Sequence, residues 1–163
     1  MGLFSFLKAA GSKLLGKAPE AEPASATTSA MDSLQEAANK SKAAMLASQV
    51  VSHGISVENL DIVVEDDKAT VYGQVETTAT KEKVILIVGN TEGIATVDDR
   101  LSVISPETEA TFYEVKKGDT LSKIAKEHYG DMMKYPVIFE ANKPMLTSPD
   151  LIYPGQVLRI PAL

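Results

Sequence analysis

The chain has 163 residues, enough for one ordinary domain or two small ones, and its 44% hydrophobic and 23% charged residues are a globular composition. A formal net charge of −6, a pI of about 4.9 and the lack of a basic stripe with interleaved aromatics argue against a nucleic-acid partner. With no cysteine, disulfides, thiolate metal sites and cysteine nucleophiles are excluded, and the two histidines, His53 and His128, stand far apart and outside any HExxH spacing.

The N-terminal run Met1–Leu7 is apolar, but Lys8 interrupts it after too few residues for a signal-peptide core. No segment approaches the roughly 20 apolar residues that span a bilayer, so the expectation is a cytoplasmic protein with no stable membrane insertion. Residues 1–17 are predicted to form a short amphipathic helix, with Leu3, Leu7 and Leu14 on one face and Lys8, Lys13 and Lys17 turned away. Gly11 marks a break in that helix where backbone carbonyls come free. Residues 18–31 are rich in Pro, Ala, Ser and Thr and read as a flexible linker.

A domain is expected over residues 32–104. Asp32 to about Val51 carries a modest helical stripe of Leu34, Ala37, Ala38, Met45 and Val50, stopped by His53-Gly54. Leu60, Ile62 and Val64 then alternate as a strand, Glu65-Asp66-Asp67 turns the chain, and Ala69, Val71, Gly73 and Val75 continue as a second strand. Thr80 to about Val88 reads as a helix, Gly89–Gly93 as a turn, and Ile94 to Ile104 as a third strand. The order αβ β α β is an α+β sandwich.

Residues 105–110 form a polar joint to a second domain over 111–163. Phe112 to Val115 alternates as a strand, Gly118 permits a turn, and Asp119 is placed to cap a helix from Thr120 to about Tyr129, which Gly130 ends. A second helix carries Ile138, Phe139 and Ala141, and a Pro154-Gly155 turn leads into a closing strand, Val157 to Ile160.

The ordered set Tyr113-x-Val115, Gly118-Asp119-Thr120-Leu121-x-x-Ile124-Ala125, Tyr129-Gly130, Ala141-Asn142 and Pro149-Asp150-x-Ile152-x-Pro154-Gly155-Gln156-x-Leu158-x-Ile160-Pro161 resembles the LysM family. The resemblance implies a βααβ fold whose members commonly bind N-acetylglucosamine polymers in a shallow groove. The glycan candidates it implies are Gly118, Asp119, Thr120, Asn142 and Ile152, with Tyr129, Tyr135 and Tyr153 available as an aromatic platform. Most matching residues are turn and core residues, so the pattern announces a fold more securely than a ligand. Over Val57–Ile104, the run Ala69-Thr70-Val71-Tyr72-Gly73-Gln74-Val75, the helix with Lys81-Glu82-Lys83, and Gly93-Ile94-Ala95-Thr96-Val97-Asp98-Asp99 resemble the BON domain.

A BON domain joined to a LysM domain behind Met1-Gly-Leu-Phe and Ala10-Gly11 is similar to the cytoplasmic potassium-binding BON–LysM proteins of Gram-negative bacteria. That resemblance implies a K⁺ ligand, with Rb⁺ and Cs⁺ as further candidates, and a role as a sensor or buffer under osmotic or ionic stress. The chemistry is coherent, because a ring of backbone carbonyls replaces the hydration shell of K⁺ whereas clustered carboxylates favour divalent ions. By resemblance, carbonyls of Leu7, Ala10 and Ser12 meet those of Gly89, Thr91 and Ile94. Read from composition alone, the Gly89–Gly93 segment is an ordinary helix-to-strand connection that binds nothing. The acidic turn Glu65-Asp66-Asp67 is a rival cation site, though adjacent acids in a hairpin are usually solvated.

Two other function classes remain to be weighed. One is a peptidoglycan-binding or envelope adaptor, with the LysM groove on glycan and the lysine-flanked N-terminal segment on lipid. The other is an enzyme, against which stands that no Ser/His/Asp set, paired catalytic carboxylates in a cleft-like motif, or phosphate loop is visible in the sequence.

Overall fold

The structure, a computed structural model, describes residues 2–6 and 25–163, with backbone only for 25–29. The first domain is a four-stranded sheet in the order β1-β4-β3-β2, built from β1 (Gly2–Ser5), β2 (Glu58–Glu65), β3 (Lys68–Thr77) and β4 (Thr96–Ser105). β2 and β3 form an antiparallel hairpin, while β3 and β4 are parallel, with Ala69 opposite Val97 and Val75 opposite Val103. The parallel pairing requires a crossover, which α2 (Thr78–Gly89) supplies.

The alternation expected of these strands sorts them between two faces. Ile62, Val64, Ala69, Val71, Val75, Val97 and Leu101 are buried, whereas Val63, Tyr72 and Arg100 face solvent. Leu46 and Val50 of α1 (Ser25–Ser52) and the run Val84–Val88 of α2 close over the buried face. All five residues of that α2 run are buried, so the helix is covered on every side. The sheet and α1 cover part of it, and the rest lies against Phe6 and Val157, a residue of the second domain.

Two expectations are corrected at the N-terminus. Gly2–Ser5 is a strand rather than the start of a helix, pairing antiparallel with β4 so that Leu3 faces Asp98 and Phe4 faces Val97. The physical reason lies in a period of two that overrides the leucine spacing. Phe6 is buried and Phe4 half-buried, alternating with exposed Leu3 and Ser5, and the open edge of β4 supplies backbone partners. The remainder of the expected helix, residues 7–17, lies outside the described residues. The expected linker 18–31 overlaps α1, whose 28 residues start at Ser25. No proline follows Pro23 before that helix, and Ala26 and Ala30 favour it. Its end is as expected, with Gly54 at φ +71 donating its N–H to Val51 O at 2.9 Å.

The second domain pairs β5 (Thr111–Glu114) with β6 (Val157–Ile160) antiparallel, Tyr113 opposite Leu158. Against this two-stranded sheet pack α3 (Leu121–Tyr129) and α4 (Tyr135–Ala141), around Val115, Leu121, Ile124, Ala125, Ile138, Leu146, Leu158 and Ile160. The cap of α3 is Thr120, whose hydroxyl accepts the Lys123 N–H at 3.2 Å, and not Asp119. Asp119 closes the preceding turn, its carboxylate accepting the Lys116 N–H at 2.8 Å and the Tyr113 hydroxyl at 2.9 Å.

Candidate functional site

The loop after α2 is where the sequence places half of the expected carbonyl set. The last four carbonyls of an α-helix have no intrahelical donor, and here they are those of Leu86 to Gly89. Leu86 O accepts the Asn90 N–H at 2.9 Å, Val88 O accepts the Thr91 N–H at 3.2 Å, and the Thr91 hydroxyl lies 2.8 Å from Ile87 O. Among the described residues, no loop hydrogen bond ends on Gly89 O. This carbonyl stands at the C-terminal, partially negative end of α2, which favours a cation. The chain then turns through Gly93, at φ +88, and Thr91 O accepts the Ile94 N–H at 3.2 Å.

Three segments hold this loop. The Phe6 ring packs so tightly on Gly89 that a Cβ there would lie 2.1 Å from Phe6 Cζ, and the Phe6 N–H donates to Ala95 O at 2.7 Å. From α1, Gln49 Oε1 lies 2.9 Å from the Thr91 hydroxyl, and Lys42 Nζ donates to Asp66 O at 3.1 Å. The acidic turn contributes backbone rather than carboxylates, since Asp67 O accepts the N–H groups of Ala95 and Thr96 at 2.7 and 3.2 Å. The structure thus brings Gly89, Thr91 and Ile94 into one short turn. Leu7, Ala10 and Ser12 lie outside the described residues, although Phe6, which immediately precedes Leu7, sits on the loop. No cluster of three or more His, Asp or Glu side chains able to hold a metal occurs among the described residues. The oxygens that the described loop offers are backbone carbonyls.

The glycan candidates divide. Asp119, Thr120 and Ile152 line a cavity of about 350 Å³ together with Ser122, Tyr135 and Asp150, whereas Gly118, at φ +88 in the preceding turn, is not among its lining residues. Asn142 is not part of it. Its side chain is 1% exposed and spent on backbone, donating to Ile138 O and Arg159 O at 2.7 and 2.8 Å and accepting the Arg159 N–H at 2.7 Å. The tyrosines also part company, because Tyr129 donates to Pro161 O at 2.7 Å and Tyr153 lines a different cleft with Met45 and Gln49. The Lys116 N–H, and then the Tyr113 hydroxyl, hold the Asp119 carboxyl below its ordinary range against the opposing effect of burial. Burial and the bond to Asp119 push the Tyr113 hydroxyl up to about 12.

What the sequence reading missed is the seam between the domains. Asn90, inside the loop, donates from Nδ2 to Val157 O at 2.9 Å and accepts the Val157 N–H on Oδ1 at 2.8 Å. Buried Glu82 of α2 pairs with buried Arg159 of β6, and Phe4 stacks at a tilt on Phe112 of β5 with centroids 5.1 Å apart. The one sequence signal for this seam is the uninterrupted apolar run Val84–Val88, which has more apolar surface than one sheet can cover.

Comparison with known proteins agrees with both domain resemblances. The BON domain model matches residues 33–105 and the LysM domain model residues 113–161. A potassium binding protein, Kbp, of Escherichia coli O6:H1 is 45% identical over 99% of both chains. An uncharacterized protein of Deinococcus radiodurans is 54% identical over 55 residues, which cover 34% of this chain and 21% of that one.

Proposed function

The chain belongs to the family of the potassium binding protein Kbp, and from that premise we propose that it is a K⁺-binding protein of the cytoplasm, a binding module rather than an enzyme. The structural observation that supports this reading is Gly89 O, left without a loop donor among the described residues at the negative end of α2 and followed by Thr91 and Ile94 in the same turn. In this proposal the carbonyls of Gly89, Thr91 and Ile94 supply one side of the ion's shell, and those of Leu7, Ala10 and Ser12 the other. K⁺ supplies a positive charge that neutralises converging carbonyl dipoles. Because ligands come from two segments, binding draws the N-terminal segment onto the BON domain and compacts the chain, which suits a sensor or buffer under ionic stress. Rb⁺ and Cs⁺ compete in order of fit, and Na⁺ does so poorly because a carbonyl ring of this kind replaces the K⁺ hydration shell.

The test is a thermal melt in KCl and in NaCl at equal ionic strength, for the full chain and for a variant lacking residues 1–17. Selective binding to the native state raises stability by RT ln(1 + [L]/Kd), about 2.7 kcal/mol at 100 Kd, so the full chain melts higher in KCl and the truncated chain shows no difference. Equal melting temperatures of the full chain in the two salts sink the proposal.

A second reading rests on the LysM groove, where Asp119, Thr120 and Ser122 offer polar groups beside Tyr135. In that reading the domain holds an N-acetylglucosamine polymer. Co-sedimentation with purified peptidoglycan decides it, and protein left wholly in the supernatant removes it.

A further inference from the structure

β6 has two edges. One pairs with β5 through Leu158 and Ile160, and the other exposes the backbone groups of Val157 and Arg159. Asparagine side chains cover that second edge, each taking an N–H on Oδ1 and giving Nδ2 to the carbonyl of the same residue, as a neighbouring strand would. Asn142, from the same domain, covers Arg159 at 2.7 and 2.8 Å. Asn90, from the other domain, covers Val157 at 2.8 and 2.9 Å. The LysM sheet is therefore completed by a residue of the BON loop. The Val157 side chain itself belongs to the BON core, so the contact is anchored on both faces.

Asn90 lies between Gly89 and Thr91. The Gly89 carbonyl and the Asn90 N–H share one rigid peptide plane, so a carbonyl cannot swing toward or away from a cation without moving Asn90. Two hydrogen bonds to a single backbone residue fix the direction of the Asn90 side chain and tolerate little of that rotation. Asn90 N–H is in turn held on Leu86 O at 2.9 Å.

We propose that Asn90 is a positioning residue which couples the ion loop to the LysM domain: docking of β6 on its side chain sets the orientation of the Gly89 and Thr91 carbonyls, and the ion-bound loop in turn fixes β6. This rests on the K⁺ reading above. Coupling of this kind is reciprocal, so whatever factor K⁺ adds to LysM docking, docking adds to K⁺ affinity. It also gives the LysM domain a task in ion binding that needs no glycan.

The test combines calorimetric titration with KCl and amide hydrogen exchange at Val157 and Arg159 in KCl and NaCl, on the full-length wild type and on Asn90→Ala. In the wild type, K⁺ slows exchange at Val157 more than Na⁺ does. In Asn90→Ala, K⁺ still binds but about 5-fold or more weakly, the K⁺ effect at Val157 disappears, and Arg159, covered by Asn142, keeps its protection. K⁺ binding to the wild type with the same Val157 exchange in both salts overturns the coupling, and this arm stands even if Asn90→Ala fails to fold. An Asn90→Ala protein with unchanged affinity overturns it as well. A wild type that takes up no K⁺ in the titration overturns the ion reading itself, and the coupling with it.

Discussion

The ring of Phe6 occupies the space that a side chain at residue 89 would need. It is a contact between the residue that follows β1 and the last residue of the crossover helix. It makes glycine a steric requirement at 89, in a helix where alanine would be a better helix former.

Gly89→Ala is therefore expected to lower stability by roughly 1–3 kcal/mol through overpacking, although alanine is favoured over glycine in a helix by about 1 kcal/mol. Combined with Phe6→Ala, the same substitution should become neutral or stabilising relative to Phe6→Ala alone. Urea unfolding of the four proteins gives the coupling energy, and strict additivity would refute the steric account.

Glu82 and Arg159 form a buried pair across the domain seam, with 3% and 8% exposure, and Glu82 Oε1 also accepts the Ala110 N–H at 2.7 Å. Removing one partner strands the other charge, so Arg159→Met or Glu82→Leu alone should cost roughly 3–5 kcal/mol. The double variant should recover a large part of that loss. Chemical denaturation of all three against wild type measures it.

Asn142→Ala deprives the Arg159 N–H and carbonyl of their side-chain partner inside the LysM core. A cost of roughly 1–3 kcal/mol per stranded buried group is expected, enough to lower the melting temperature by several degrees. If Asn142 were instead a groove residue, its replacement would leave the melt unchanged and weaken glycan binding.

The turn of the LysM domain should set a pH dependence. The Asp119 carboxyl is held below its ordinary value of 3.8, so its contribution is present above that pH and is lost as the pH falls through the lower folded value. The Tyr113 hydroxyl is raised from 10.0 to about 12, so its contribution is complete below pH 10 and is lost as the pH rises toward 12. Urea midpoints across pH should show both limbs, with Asp119→Asn flattening the acid limb and Tyr113→Phe the alkaline one.

Local patterns carried most of the fold. The alternation in Ile62–Val64 and Ala69–Val75, the left-handed glycines Gly54, Gly118 and Gly130, and the ordered turn residues from Tyr113 to Pro161 each act within a few residues of themselves. That locality is why they could be read without coordinates. The first strand misled because Leu3 and Leu7 offer helical spacing while Phe4 and Phe6 offer strand spacing. Only the open edge of β4 selects between them.

The ion loop shows the division most clearly. By itself the sequence determined that a glycine-bounded turn, Gly89–Gly93, follows a helix with too much apolar surface for one sheet. Which carbonyl is left over at the helix end, that Phe6 closes on Gly89, and that Asn90 completes a strand 67 residues further along the chain were decided by tertiary structure alone. Carbonyl donors are common to every residue, so their identity carries no signal. Their direction depends on hydrogen bonds made between segments that meet only once the chain has folded.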